Sequence, residues 1–410
     1  MLIGQRNAVV TYNQQSVPAP AAIKQAPQNA GLFGGLEKRQ FQFSVQRKTP
    51  PAGRNATVRT DTVIASIRKR LKRSKWALIA YTILHSTRVR WRFEQGKFDS
   101  ITGSTHMKFT DEQSVAYCLR QYNEYFQYGH LTPSMLEGRT VLEYGPGDNV
   151  GVGLLFIAAG ARFYAATDKF DAIRDVEKER RIYQKLRDGL RTDAERNRFD
   201  DAVDLSKGIR FNPERVKCVY GVGAEDADTQ FTEPFDILIS RGVLQEIYEG
   251  EKLYASMDKL LKPGGWMLHK VDHRDYGLFN ANGFPALEFL TVPETVYQLM
   301  AKKSDRPARR LIDFYRGQMK ARGYRAAIYK AYLIADYHHA NPHEIIPHKT
   351  TLEKGVDYTA EHEEMIRKIR PRLVEPFRNL PEADLMVAGT FHVAQKPPFT
   401  SDGPPQCVAL

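Results

Sequence analysis

Two groups of side chains in this chain have the types and spacing for chemistry. The first is the run His269-Lys-Val-Asp-His-Arg-Asp275, with His269, Asp272, His273 and Asp275 close together. Histidine titrates near neutrality, so His269 or His273 can take a proton from a substrate, and Asp272 or Asp275 can orient the ring. The second is Thr140-Val-Leu-Glu-Tyr-Gly-Pro-Gly-Asp-Asn149, in which Glu143 precedes Gly145, Pro146, Gly147 and Asp148. Glycines let backbone N–H groups approach a ligand, and a helix N-terminus behind them favours phosphate or a polar nucleoside. Asp168 follows about 20 residues later, where a carboxylate can read ribose hydroxyls. This is not the dinucleotide fingerprint G-x-G-x-x-G, because Val150 stands where the third glycine belongs. On its own, such a turn serves structure as readily as a ligand.

Both groups need elements to hold them. Val141, Leu142 and Tyr144 read as a short buried strand, and Asp148 or Asn149 can cap a helix from Val150 to Gly160. A second strand, Arg162 to Thr167, delivers Asp168, and a charged helix runs from Ala172 towards Arg191. Val216 to Val222 is a third strand ending at Glu225 and Asp226, where a carboxylate can accept from an adenine amine. Phe235 to Ser240 is a fourth, leading to Arg241; Leu260-Leu-Lys-Pro-Gly-Gly265 turns into a fifth, Trp266 to Val271. Alternating strands and helices with short turns predict a parallel sheet covered on both faces, with ligands at its carboxyl edge. Strand alternation puts His269 and Val271 on one face, Lys270 and Asp272 on the other.

Helices are expected over Pro293–Lys302 and Pro307–Arg322, the second closed by Gly323. A sixth strand, Arg325 to Ile334, pairs with a last one, Leu385 to Ala394. Between them, an insertion (336–383) holds His338, His339, His343, His348 and His362, with no cysteine or carboxylate spacing that completes a zinc site. Upstream, Thr110-Asp-Glu opens a helix carrying Tyr117, Leu119, Tyr122, Tyr125 and Phe126, placed to lid the cleft or to pack as core.

The ordered set E-x-G-x-G at 143–147, Asp168, Ala224-Glu225-Asp226, F-D-I-L-I-S at 235–240 and L-K-P-G-G at 261–265 resembles class I S-adenosylmethionine (SAM) methyltransferases. Glu143–Asn149 (E-Y-G-P-G-D-N), Ser240–Ile247 (S-R-G-V-L-Q-E-I) and the 269–275 run also resemble bacterial methyltransferase-domain proteins of the E-x-G-P-G-D type, linked to surface-glycan or natural-product modification. Those tend to read S-R-x-V-L-E-H and H-x-I-D-L-R-D-H, and this chain departs at Gln245-Glu246, His273 and Tyr276. The resemblance implies a Rossmann-like α/β sheet, parallel with an antiparallel last strand. It implies SAM as cofactor, held by Glu143, Gly145, Pro146, Gly147, Asp148, Asp168, Glu225, Ser240 and Arg241. It also implies methyl transfer to a small-molecule or glycan acceptor at oxygen, with His269, His273 or Asp272 assisting. A nucleic-acid (RNA) methyltransferase is the alternative; against it, Ser240-Arg-Gly-Val replaces the N-P-P-Y-like loop after the fourth strand. A non-catalytic SAM-fold binding module is the third possibility.

With 410 residues and 42% hydrophobic content, the chain can bury one large core plus appendages. Residues 1–60, rich in Gln, Asn, Pro, Ala and Gly, read as a disordered arm, and 398–410 as a tail to the 106–397 domain. Residues 1–100 hold 18 Lys/Arg against 4 Asp/Glu, a net of +14 against +12 for the whole chain, so 101–410 carry −2. Much of that basicity falls in a helical extension, 61–105. There Val63, Ile64, Ile67 and Leu71 recur at helical spacing among Arg68, Lys69, Arg70, Lys72, Arg73 and Lys75, followed by Trp76 and Trp91. Such an element can lie on an anionic membrane, grip nucleic acid, or pack on the domain by its apolar face. Cys118, Cys218 and Cys407 lie far apart, which favours a reducing compartment, and no run of about 20 apolar residues suggests a membrane span. A cytoplasmic chain, peripheral at the membrane, is expected.

Overall fold

Short β-branched and aromatic runs, each ended by glycine or an acid, become the strands of one twisted sheet. The computed structural model describes residues 74–100, 103–334, 346–347 and 359–399. In chain order its main elements are α1 (Lys75–Glu94), α2 (Asp111–Gly129), β1 (Thr140–Tyr144), α3 (Gly151–Ala158), β2 (Phe163–Asp168), α4 (Val176–Asp188) and α5 (Asp193–Ala202). Next come β3 (Val216–Tyr220), β4 (Phe235–Arg241), α6 (Gly250–Leu260), β5 (Leu261–Asp272), α7 (Glu294–Ala301), α8 (Ile312–Ala321), β6 (Arg325–Leu333), α9 (Ala360–Ile369) and β7 (Val387–Gln395).

Across the sheet the order is β6–β7–β5–β4–β1–β2–β3, with Ile346–Pro347 as a two-residue edge beyond β6. Strands β1 to β5 run parallel, and β7 pairs antiparallel with both β5 and β6. This is the expected Rossmann-like α/β sheet with an antiparallel last strand. Crossover helices cover both faces, so the strands are apolar on both sides. One face packs Leu142, Leu238, Met267 and Val271 against α6 and α8; the other packs Val141, Tyr164, Ile239 and Leu268 against α2, α3 and α4.

Helix α2 starts at the expected place because Thr110 and Gln113 form a reciprocal capping box. Helix α3 differs slightly from expectation. Val150 is its N-cap, Asn149 Oδ1 accepts from Gly151 N–H at 2.8 Å, and Asp148 does not cap it. The charged helix begins at Val176, capped by Asp175, because Asp171–Ala172 first pair in parallel with Asp99–Ser100.

Helix α1 is not separate from the sheet domain. Its inward side, Leu78, Ile79, Thr82 and Ser86, is buried, and Ser86 Oγ donates to the Met300 carbonyl of α7 at 2.6 Å. Lys75 pairs with the fully buried Glu288, which also takes Arg372. Of the six clustered cations, Arg68 to Arg73 lie outside the described residues, as do the 1–60 arm, the 400–410 tail and the insertion histidines His338, His339, His343 and His348. His362 is described and buried; its Nδ1 accepts from Thr359 N–H at the start of α9.

Candidate active site

The carboxyl edge of the parallel strands gathers the glycine turn, Asp168 and the ends of β4 and β5. Gly145 and Gly147 both take positive φ, +68° and +70°, which only glycine adopts cheaply. A Cβ at Gly145 would stand 2.3 Å from Val243 Cγ2, and one at Gly147 would stand 2.7 Å from the Gly103 carbonyl oxygen. Asp168, at the tip of the neighbouring β2, reaches across: its Oδ2 accepts from Gly147 N–H at 3.2 Å and its Oδ1 from Phe170 N–H at 3.0 Å. Burial raises its pKa to about 6, and these backbone donors oppose the shift.

Glu143 sits beneath the turn, 4% exposed, accepting from Tyr164 Oη at 2.5 Å; burial raises its pKa to about 7. Asp148 faces the chain before α2. Its carboxylate accepts from His106 N–H and Met107 N–H at 3.2 and 3.1 Å. That segment, from Gly103 to Met107, therefore straps over the turn, a role the sequence left to α2. Pro146 lies between the glycines, half-buried, and Glu225 follows β3 with its carboxylate folded beside Gly223.

The histidine run divides. His269 lies inside β5, 2% exposed, with Nδ1 2.9 Å from Ser240 Oγ on β4; burial alone takes its pKa down to about 3. A ring so placed and so weakly basic is a poor proton acceptor at neutral pH. His273 is also buried, Nε2 against Thr390 Oγ1 at 2.9 Å and Nδ1 against the Arg310 carbonyl at 3.1 Å. Asp272 is held bidentate by Arg274, and Asp275 accepts backbone N–H groups of Gly277, Phe279 and Asn280. The face alternation of β5 holds, but its consequence differs: His269 faces a packed helical layer rather than an open cleft.

What the structure brings to the edge instead is Glu246 and Tyr276, two of the positions at which the sequence departs from the S-R-x-V-L-E-H and H-x-I-D-L-R-D-H patterns. Asp275 holds the tight turn that puts Tyr276 at φ +54°, an uncommon backbone state for a non-glycine residue. Its phenol donates to Glu246 Oε1 at 2.9 Å and accepts from Gln245 Nε2 at 2.5 Å. Burial raises Glu246 to about 8; the Tyr276 hydrogen bond opposes this, and the negative charges of Asp305 and Asp168 add to it. Asp305 in turn faces His85 of α1 at 3.4 Å, and Lys169, after Asp168, packs over the Phe93 ring at 5.4 Å. The one sequence signal for this pair was the double departure from the motif pattern. On the far side of β4, Arg241 pairs with Glu124 of α2, which also accepts from Lys270 Nζ at 3.1 Å.

No family model and no curated protein matches the chain. Among solved structures, it is similar to a phosphoethanolamine N-methyltransferase 2 from Haemonchus contortus in complex with SAM, at 14% identity and TM-score 0.34, over 68% of this chain and 52% of that one. It is also similar to a putative sarcosine dimethylglycine methyltransferase from Galdieria sulphuraria, at 12% identity and TM-score 0.35, over 68% and 86%. The chain thus spans about half the length of the first. Likeness this distant transfers no activity, so function rests on the residues themselves.

Proposed function

We propose that this chain is a SAM-dependent methyltransferase acting on a small-molecule or glycan acceptor at oxygen. The observation that carries the reading is the Asp168–Gly147 contact, which sets a positive-φ glycine turn and a strand-end carboxylate on adjacent parallel strands. These residues fit the cofactor. The turn offers backbone at close range, Asp168 would accept from the ribose hydroxyls, and Glu225 after β3 stands where an adenine amine is expected. When bound, SAM supplies an electrophilic methyl group.

The rest is the work of the protein. Glu246, at the ends of β4 and β5, takes the acceptor's proton, and Tyr276 fixes the carboxylate's direction. With a pKa near 8 the group exchanges protons at physiological pH. His269 braces Ser240 of β4, and His273 and Asp272 hold the turn after β5 through Thr390, the Arg310 carbonyl and Arg274. Calorimetry of the full chain with SAM and S-adenosylhomocysteine tests the reading; no binding of either ends it.

A membrane contact through α1 is the second part of the proposal. Trp76, Leu84 and Trp91 lie along one outward stripe, 62%, 72% and 56% exposed, with Tyr81 beside it. In sequence the stripe follows directly on the cationic run Arg68–Arg73, and Arg88 lies within it. Interfacial aromatics next to cations complement an anionic bilayer surface. No helix among the described residues is long and apolar enough to cross a membrane.

A further inference from the structure

Lys169 is a cation that the fold seats at the active edge without a counter-ion in contact. It follows Asp168 at the tip of β2, half-buried, with Nζ 5.4 Å from the centre of the Phe93 ring of α1 and 5.7 Å from that of Phe170. Two aromatic faces can hold an ammonium in place through their negative π-clouds. Among the described residues its Nζ takes part in no hydrogen bond and no ion pair. The cations beside it are served differently: Arg92 pairs with Asp99 and Arg174 with Asp171.

Glu246 stands on the other side of the glycine turn. The strand order there is β4–β1–β2, so the strands that deliver the carboxylate and the ammonium lie two spacings apart, roughly 10 Å. Helix α1 runs along this side of the edge. Its His85 meets Asp305, whose charge acts on Glu246, and its Phe93 packs on Lys169. Both Glu246 and Lys169 keep part of their surface open to solvent. Their charges act on each other as well. Burial lowers the Lys169 pKa and Lys303 adds to this, while the charges of Glu225, Glu246 and Asp305 oppose it; Lys169 in turn works against the rise that burial imposes on Glu246.

An acceptor hydroxyl set between the two meets a base and a cation. As Glu246 takes its proton, the oxygen gains negative charge. The oxygen then bonds to the methyl carbon while the methyl–sulfur bond breaks and leaves its electron pair on sulfur. The proton stays on Glu246 and is later given up to water. A fixed ammonium helps most where that negative charge is greatest.

We propose that Lys169 is a second catalytic residue, an ammonium that touches the acceptor oxygen opposite Glu246 and stabilises its developing negative charge. This rests on the methyltransferase reading and narrows the acceptor to an alcohol or a phenol. An amine gains positive charge as it is methylated, and Lys169 would repel it.

The test uses 4-nitrophenol, an oxygen acid whose ionised form absorbs apart from its neutral form. The full chain, saturated with S-adenosylhomocysteine, is titrated with it across pH 5 to 9 as wild type, Lys169→Met and Lys169→Arg. The bound probe should favour its anion in wild type and Lys169→Arg by roughly tenfold, one pKa unit, over Lys169→Met. Without any probe, carbon-13 resonances of the Glu246 carboxyl should titrate at higher pH in Lys169→Met than in the other two, a change that a packing role for the stem would not produce. No binding of the probe, or equal ionisation in all three proteins, overturns the proposal. The probe titration is repeated without S-adenosylhomocysteine. If that ligand fails to bind, the cofactor reading falls by itself and Lys169 is still judged by the probe.

Discussion

Tyr276 Oη donates to Glu246 Oε1 at 2.9 Å, joining the loop after β4 to the turn after β5. Two strand ends are locked together by a phenol and a carboxylate, at the edge where ligands of such sheets bind. Gln245 supplies a second hydrogen bond to the same phenol, at 2.5 Å, so its direction is fixed from two sides.

If Glu246 is the proton acceptor, Glu246→Gln removes the base and leaves the shape. Loss of a general base costs roughly 10²–10⁴-fold in rate. The expected result is a fall of that size in kcat with SAM affinity unchanged, and absence of the rise in activity towards pH 8 that a base with a pKa of about 8 predicts for wild type. Tyr276→Phe should keep the limb and move its midpoint. A full pH–rate profile with Glu246→Gln indistinguishable from wild type would return the role to another group.

Glu246 also predicts how stability depends on pH. Its folded pKa, raised to about 8 chiefly by burial, lies above the value of about 4.5 in an unfolded chain. Between the two, the unfolded chain is ionised while the folded one keeps its proton, so this residue makes stability fall as pH rises from about 4.5 to about 8. Urea midpoints across that window should decline less steeply in Glu246→Gln than in wild type. Parallel curves would contradict the assignment.

Asp168→Ala should weaken SAM by about 1.5–3 kcal/mol, roughly 10- to 150-fold, as expected when a charged partner leaves ligand hydroxyls unpaired. Asp168→Asn, which retains an acceptor for Gly147 N–H, should lose less. Equal affinity for all three proteins would move ribose recognition off β2.

Glu288 is fully buried and receives Lys75 from α1 and Arg372 from the segment after α9. Removing one partner of a buried ion pair typically costs about 3–5 kcal/mol. Glu288→Ala should lower unfolding stability by that order and loosen α1, read as faster hydrogen exchange at Leu78 to Ser86. A change under about 1 kcal/mol would make these surface-like contacts of little consequence.

For the outward stripe of α1, anionic vesicles should sediment wild type at low salt and release it at high salt, since each nearby cation adds about 1 kcal/mol and salt screens it. A variant with Trp76, Leu84 and Trp91 changed to Ser should stay in the supernatant. If wild type also stays there, the membrane contact is wrong, and salt-sensitive binding to mixed-sequence RNA would favour a nucleic acid.

The sheet was legible because its strands are apolar runs ended by Gly145, Asp168 and Gly265, a pattern that survives any choice of neighbours. The glycine turn and Asp168 were legible for the same reason: their spacing along the chain is their spacing across two strands. The burial of His269 was not legible, because a parallel strand is covered on both faces and alternation separates His269 from Lys270 without saying which face opens. Glu246 and Tyr276 stand 30 positions apart and meet only because β4 and β5 are neighbours, which no local pattern encodes. Lys270 and Glu124 are further apart still, and the opposite charges in a strand and a helix carried no mark of pairing.

The strap from Gly103 to Met107 bears on timing rather than affinity. Its Gly103 carbonyl takes Asp148 N–H at 3.3 Å and its amides hold the Asp148 carboxylate, so the turn is clasped from outside by three hydrogen bonds. If a ligand on that turn passes beneath this segment, it arrives and leaves only when the clasp lets go. Its residence time is then set by an opening of the chain itself, and shortening that clasp by Asp148→Ala should hasten both arrival and departure while leaving their ratio comparatively unchanged.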